Sequence, residues 1–311
     1  MKKIIRKIAA VSAALCLLMA GACSGAGSGK KDGIKVITVN FPPYDFVRQI
    51  TGGEIIPEML LTGGQDAHSY EPTAKDIVRI NEADLFICTG GESDAWVDTI
   101  LDSIDSDVII LRMTDCVDDL LEEEEDEDED EHEHEHDSDE IEYDEHVWTS
   151  PKNAMTICAE IASRLMLIDP DNYTKYADGL LSYRQQLESL SDEWREAADK
   201  LDKPLIFGDR FPFAYLARDY DIDYFAAFAG CSTETEPSAA KMTALIEKAK
   251  EVGAPHIYHI EFSTEKVAEA IAEATGADIR LMHSCHTLSD TDLASGETYI
   301  SLMRKNIAAL E

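Results

Sequence analysis

The sequence predicts an α/β protein of two lobes, each a mainly parallel four-stranded sheet flanked by helices, with one long helix joining them. Three observations predict it. Short runs rich in Val, Ile, Leu and Phe alternate with amphipathic helical stretches from residue 34 to 112: IKVITVN, EIIPEMLL, DLFICTG and VIILR are the strand candidates. The same alternation restarts at PLIFGD and continues through YFAAFAG, HIYHIEF and IRLM. Continuous apolar strands, each followed by a helix, signify a parallel sheet covered on both faces. Third, Tyr173, Tyr176, Leu180, Tyr183, Leu187, Leu190, Trp194, Ala197 and Leu201 fall at steps of three and four, one apolar stripe between the two units. A helix over that span is roughly 43 Å long at 1.5 Å per residue, enough to run beside both lobes.

Before the first strand the chain opens MKKIIRKIAAVSAALCLLMAGACSG. Four cationic side chains, a short apolar run and small residues before Cys23 read as an export signal over residues 1–22. The run is too short to favour a permanent span. Ala20-Gly21-Ala22 before Cys23 resembles a lipobox, which makes Cys23 the lipidation site, and SGAGSGKKDG after it makes residues 23–33 a flexible tether. The first lobe is expected over 34–169, the linking helix over 170–202 and the second lobe over 203–311.

The formal net charge is -36, and the block from Glu122 to Glu140 holds fifteen carboxylates, so about -21 remains outside it. Such a balance argues against nucleic-acid binding, which needs a Lys and Arg surplus, and suits cation attraction. So acidic a block cannot bury enough apolar area to order itself, and residues 118–145 are expected to form a loop without fixed structure. His132, His134 and His136 alternate with carboxylates inside it and form an accessory set for collecting metal.

In parallel α/β sheets, ligands bind beyond the carboxyl ends of the strands. His68, in LTGGQDAHSYEPT, follows the second strand. His146, in YDEHVWTSPKNA, precedes a helix. His283 and His286, in LMHSCHTLSD, follow the last strand. Several imidazoles placed at strand ends in both halves suit Zn²⁺ better than a hard, oxygen-preferring ion. His256 and His259 lie within a strand and read as structural. Cys231 and Cys285 also follow strands of the second unit; they can form a disulfide, the favoured reading, or give thiolates to a metal. The His-Glu-x-x-His pattern of a zinc hydrolase works on a helix, and its one match here, His132 to His136, falls in the acidic block where no helix is expected, so the chain reads as a non-enzyme.

VITVNFPPYDFVRQITGG, GGQDAHSYEPTAKDI, ADLFICTGG, the acidic His-rich insertion, HVWTSPKNAM, FPFAYLARDYDI, TETEPSA and GETYISLMRKN carry a resemblance. From about Ile34 to the C-terminus the chain resembles the cluster A-I solute-binding lipoproteins of zinc and manganese ABC transporters, the ZnuA-like and TroA-like family. The resemblance implies two lobes on one rigid helix, with the metal in the cleft between them. It implies partners in an ABC permease and ATPase, Zn²⁺ as transported ligand with Mn²⁺ as the alternative, and a lipid-anchored, monomeric protein outside the cytoplasm. A surface adhesin or metal buffer is a further alternative. The resemblance carries ligand roles onto His68 and His146. Arg210 stands where the family has another ligand, and arginine cannot serve as one. The expected site is therefore His68 and His146 with His286 and His283.

Overall fold

The structure is a computed structural model and describes residues 33–65, 68–100, 103, 107–123, 142–232 and 236–311. The export signal, Cys23 and His132, His134 and His136 lie outside the described residues. Among the described residues no helix is long and apolar enough to cross a membrane.

All eight strand candidates form strands. β1 (Val36–Thr38), β2 (Glu58–Met59), β3 (Leu85–Cys88) and β4 (Ile109–Arg112) make one parallel sheet in the order β2-β1-β3-β4. β5 (Leu205–Arg210), β6 (Tyr224–Phe228), β7 (His256–His259) and β8 (Asp278–Leu281) make a second parallel sheet in the order β6-β5-β7-β8. The two sheets share one winding. Alternate side chains point to opposite faces of a strand, which is why these strands can be apolar throughout. Ile37, Phe86 and Cys88 fill an outer core of the first lobe, while Val36, Leu85 and Ile87 face inward. Ile206 and Ile257 face the outer core of the second lobe, and Leu205, Phe207 and Tyr258 face inward.

The inward faces meet in one core that both lobes share. The linking helix, Tyr173–Ala198, sends Tyr176, Tyr183, Leu187, Leu190 and Trp194 into it. These pack with Phe46 and Trp148 from the first lobe and with Phe213, Tyr215 and Tyr299 from the second. The helix is shorter than its stripe at the C-terminal end. It stops at Ala198, and Leu201 reaches the same core from the turn that follows. At the other end Tyr173 is 57% exposed and takes no part.

The loop expected over 118–145 is ordered at both described ends. Glu122 and Tyr143 form an antiparallel bridge, and Asp144 donates its N–H to the Leu121 carbonyl at 2.9 Å. Tyr215 Oη accepts from the Leu121 N–H at 3.2 Å and donates to the Asp144 carbonyl at 2.7 Å. Arg218 Nη1 donates to the Asp119 carbonyl at 2.9 Å. Backbone pairing and a buried tyrosine thus hold the two ends, although their composition is acidic.

Close approach of the linking helix to the first lobe depends on Gly179. A Cβ there would overlap the Ile50 carbonyl oxygen, far inside van der Waals contact distance, at the end of helix Phe41–Thr51. Helix propensity alone favours Gly→Ala by about 1 kcal/mol, whereas forcing atoms into a filled interface costs about 1–3 kcal/mol. Gly179→Ala is therefore expected to destabilise the protein in urea unfolding; a rise in stability would show that the two helices have slack between them.

Candidate metal centre

The cleft between the two sets of strand ends is lined by His68, His146, Arg210, Gly230, Phe262 and His286, among others. His68 comes from the loop after β2, where Gly63 and Gly64 take positive φ (63° and 78°) and turn the chain back over the sheet end. A Cβ on Gly64 would lie 2.6 Å from the Phe262 ring, so only glycine lets this loop lie against the second lobe. His146 precedes a single 3₁₀ turn, Val147–Thr149, which leads through Ser150 into helix Pro151–Ile168. His286 follows β8.

The structure brings three of the four expected histidines together. Nitrogen atoms of His68, His146 and His286 all lie within 4.8 Å of one another. The ring centroids are 5.6 Å apart for His68 and His146, 5.8 Å for His68 and His286, and 5.5 Å for His146 and His286. A tetrahedral zinc with Zn–N near 2.0–2.1 Å sets N···N separations of roughly 3.4 Å, so small side-chain rotations suffice to close this set on an ion.

Each imidazole is prepared by its surroundings. His146 Nδ1 lies 3.0 Å from Asp144 Oδ1, and the same oxygen accepts the His146 backbone N–H at 2.7 Å. With Nδ1 so engaged, Nε2 is left as the donor, the arrangement usual for metal-bound histidine. Burial works to lower the His146 pKa, but the carboxylates of Asp144, Glu145 and Glu123 outweigh it and the net shift is upward. His286 moves the other way: burial and the positive neighbours His146, His68 and Arg210 hold it well below its ordinary value. It stays neutral at physiological pH, with its lone pair available. His286 Nε2 is buried and has no protein hydrogen-bond partner.

His283 is not in this set. Its N–H donates to Asn306 Oδ1 at 2.7 Å and its carbonyl accepts from Asn306 Nδ2 at 2.8 Å, so the backbone at 283 is clamped to the C-terminal helix. Cys285, at φ 61°, then turns the chain and delivers His286 to the cleft. The expected disulfide is absent too: Cys231 and Cys285 are both free thiols. Cys285 is buried in the shared core with its Sγ 3.7 Å from the His283 carbonyl, whereas Cys231 Sγ lies 4.0 Å from His146 Nδ1. Arg210 lines the cleft, and its Nη1 lies 3.4 Å from the Ser232 carbonyl. His259 Nδ1 is 3.0 Å from the Ile260 carbonyl, and neither His259 nor His256 joins a donor cluster among the described residues.

Two carboxylates were not singled out by the sequence reading. Asp144 supports His146, as above. Glu145 is fully buried, and its Oε2 accepts the Ser93 N–H at 3.1 Å, while burial raises its pKa to about 7. Its Oε1 has no hydrogen-bond partner and faces His68 Nδ1 at 3.7 Å. The available signal was the run Asp-Glu-His itself, a ligand candidate directly preceded by two acids.

Over residues 36–311 the chain matches the family described as zinc-uptake complex component A, periplasmic. The zinc-binding lipoprotein AdcA of Streptococcus pneumoniae (strain ATCC BAA-255 / R6) is 30% identical over 313 residues, 99% of this chain but 61% of that relative. The chain thus spans less than two thirds of AdcA. The high-affinity zinc uptake system protein ZnuA of Bacillus subtilis (strain 168) is 32% identical over 303 residues, 96% of this chain and 94% of the relative. Among solved structures, the Zn(II)-bound ZnuA-like domain of Streptococcus pneumoniae AdcA has a TM-score of 0.72 at 28% identity, covering 89% of this chain and 97% of that one. The metal-dependent lipoprotein YcdH of Bacillus subtilis has a TM-score of 0.74 at 28% identity, covering 89% and 98%. Extent of match, repeated parallel sheets and three imidazoles in the cleft agree: this chain belongs to the zinc-uptake complex component A family.

Proposed function

We propose that this protein captures Zn²⁺ through His68, His146 and His286 outside the cytoplasm and delivers it to the permease and ATPase of an ABC importer. The convergence of three imidazoles from loops of both lobes carries this reading. A nitrogen-rich set suits zinc over manganese, which prefers oxygen donors. The names of the relatives, a zinc-binding lipoprotein and a zinc uptake protein, support the same cargo. The protein acts as a monomer, tethered through a lipid on Cys23, and the role needs coordination and release but no bond-making. His132, His134 and His136 serve as accessory collectors, dispensable for the tight site.

Competitive titration against a chromogenic chelator tests the ligand set. His68→Ala, His146→Ala and His286→Ala should each weaken zinc by more than about 100-fold, beyond the 10–100-fold usual for supporting residues. Deleting residues 124–141, which spares the Glu122–Tyr143 bridge, should leave the tight site in place. Loss of tight binding on deletion, with all three alanine variants unaffected, would sink the cleft assignment.

Asp144→Asn tests the support of His146. The Asp144 carboxylate raises the His146 pKa, so removing its charge should lower that pKa, as read by NMR titration of the imidazole in the metal-free protein. A proton on His146 competes with the metal, so zinc affinity should fall as pH drops through the His146 pKa. Asp144→Asn should shift that fall to lower pH and weaken zinc about 10–100-fold above it. An unchanged His146 pKa would remove Asp144 from the site.

A further inference from the structure

Beside the three imidazoles lies a second donor set that shares His68 with them and adds two donors zinc capture does not use. A nitrogen of His68, a carboxylate oxygen of Glu145 and the sulfur of Cys231 lie within 4.8 Å of one another. Both flanking donors are built into place. Glu145 packs against Gly91, where a Cβ would collide with its side chain, and the Ser93 N–H holds Oε2. Oε1 is left buried, without a hydrogen-bond partner, on the side of His68. A buried carboxylate oxygen that has no hydrogen bond and only an imidazole 3.7 Å away is poorly compensated, and a cation held between the two improves on that. Cys231 is fixed through its backbone, whose N–H donates to Glu123 Oε1 at 2.9 Å.

We propose that His68, Glu145 and Cys231 form a second metal site, overlapping the three-imidazole site at His68, that holds soft, thiophilic divalent ions, with cadmium as the representative. One sulfur, one nitrogen and one oxygen donor offer a soft ion a thiolate bond that the imidazole set lacks. On binding, the S–H bond breaks, sulfur bonds to the metal and the proton leaves to solvent, with no change of oxidation state. Because both sets require His68, one ion excludes the other. A soft ion is thus held in a coordination different from that of zinc, and while it stays there zinc lacks its third imidazole.

The test uses the compact unit Ile34–Glu311, which contains all three described cores. Cadmium is added and the thiolate-to-cadmium charge-transfer absorption is followed, with zinc affinity measured in parallel. The wild type should develop the band, saturating at one equivalent. Cys231→Ser should abolish the band and leave zinc affinity unchanged, since Cys88, Cys158 and Cys285 are buried and Cys116 joins no donor cluster among the described residues. Glu145→Gln should weaken cadmium while the band remains at high cadmium. His286→Ala should lose tight zinc and keep the band. No band in the wild type, or a band surviving in Cys231→Ser, would overturn the proposal. Loss of the band in His286→Ala would also overturn it, by showing one four-donor site. Failure of the zinc assignment is separate: it would show as undiminished zinc affinity in His286→Ala.

Discussion

Trp148 sets the distance between the two halves of the candidate metal centre. Its ring lies 5.4 Å from that of His146 and 4.9 Å from that of His286, a wall against both imidazoles. Its indole N–H donates to the Ser284 carbonyl at 2.9 Å, two residues before His286, and its own carbonyl accepts from Tyr299 Oη at 2.7 Å. Fully buried in the core shared by both lobes, it ties the loop carrying His146 to the loop carrying His286. A donor set drawn from two lobes keeps its spacing only if something rigid spans the gap, and this side chain is that span.

Around it the lobes are joined by hydrogen bonds. Asp45, buried in helix Phe41–Thr51, accepts the Tyr299 N–H at 2.9 Å, which fastens the start of the C-terminal helix to the first lobe. The Phe41 N–H donates to the His286 carbonyl at 3.1 Å, so the first helix of one lobe holds a cleft imidazole of the other by its backbone. Glu261 receives both the N–H and the hydroxyl of Ser284, at 2.7 and 2.6 Å, and stiffens the same loop from below. His68 has a different footing. Its loop leaves the edge strand β2 through two glycines in left-handed conformations and crosses to Phe262 by contact.

Much of the architecture was legible in the sequence because the strands announce themselves. Each is a short apolar run, and every run read as a strand is one, since burial on both faces demands that pattern. The linking helix was legible in its periodicity but not in its end, because a turn residue such as Leu201 can serve the same core as a helical one. His68, His146 and His286 stood out as imidazoles beyond strand ends. The choice between His283 and His286 was not available, since it depends on Asn306, more than twenty residues on, and on one left-handed residue at Cys285. Side-chain direction likewise hid the placement of Glu145 beside His68 and left open which way Cys231 faces. A spacing of loops along the chain does not say which thiol faces a histidine and which faces the core.

The bonds that fasten the lobes near the centre share a property: none pairs two full charges. Phe41 to His286, Trp148 to Ser284 and Tyr299 to Trp148 join neutral groups, and Asp45 reaches the other lobe only through a backbone N–H, its contacts with Gln49 and Arg48 lying within its own helix. Dissolved salt screens exposed charges over about 8–10 Å but leaves short buried dipole contacts almost untouched. A chain of net charge -36 draws cations through its long-range field, and that attraction weakens as ionic strength rises. Ionic strength therefore acts on how often a cation reaches the cleft, while the spacing of the imidazoles that line it stays the same.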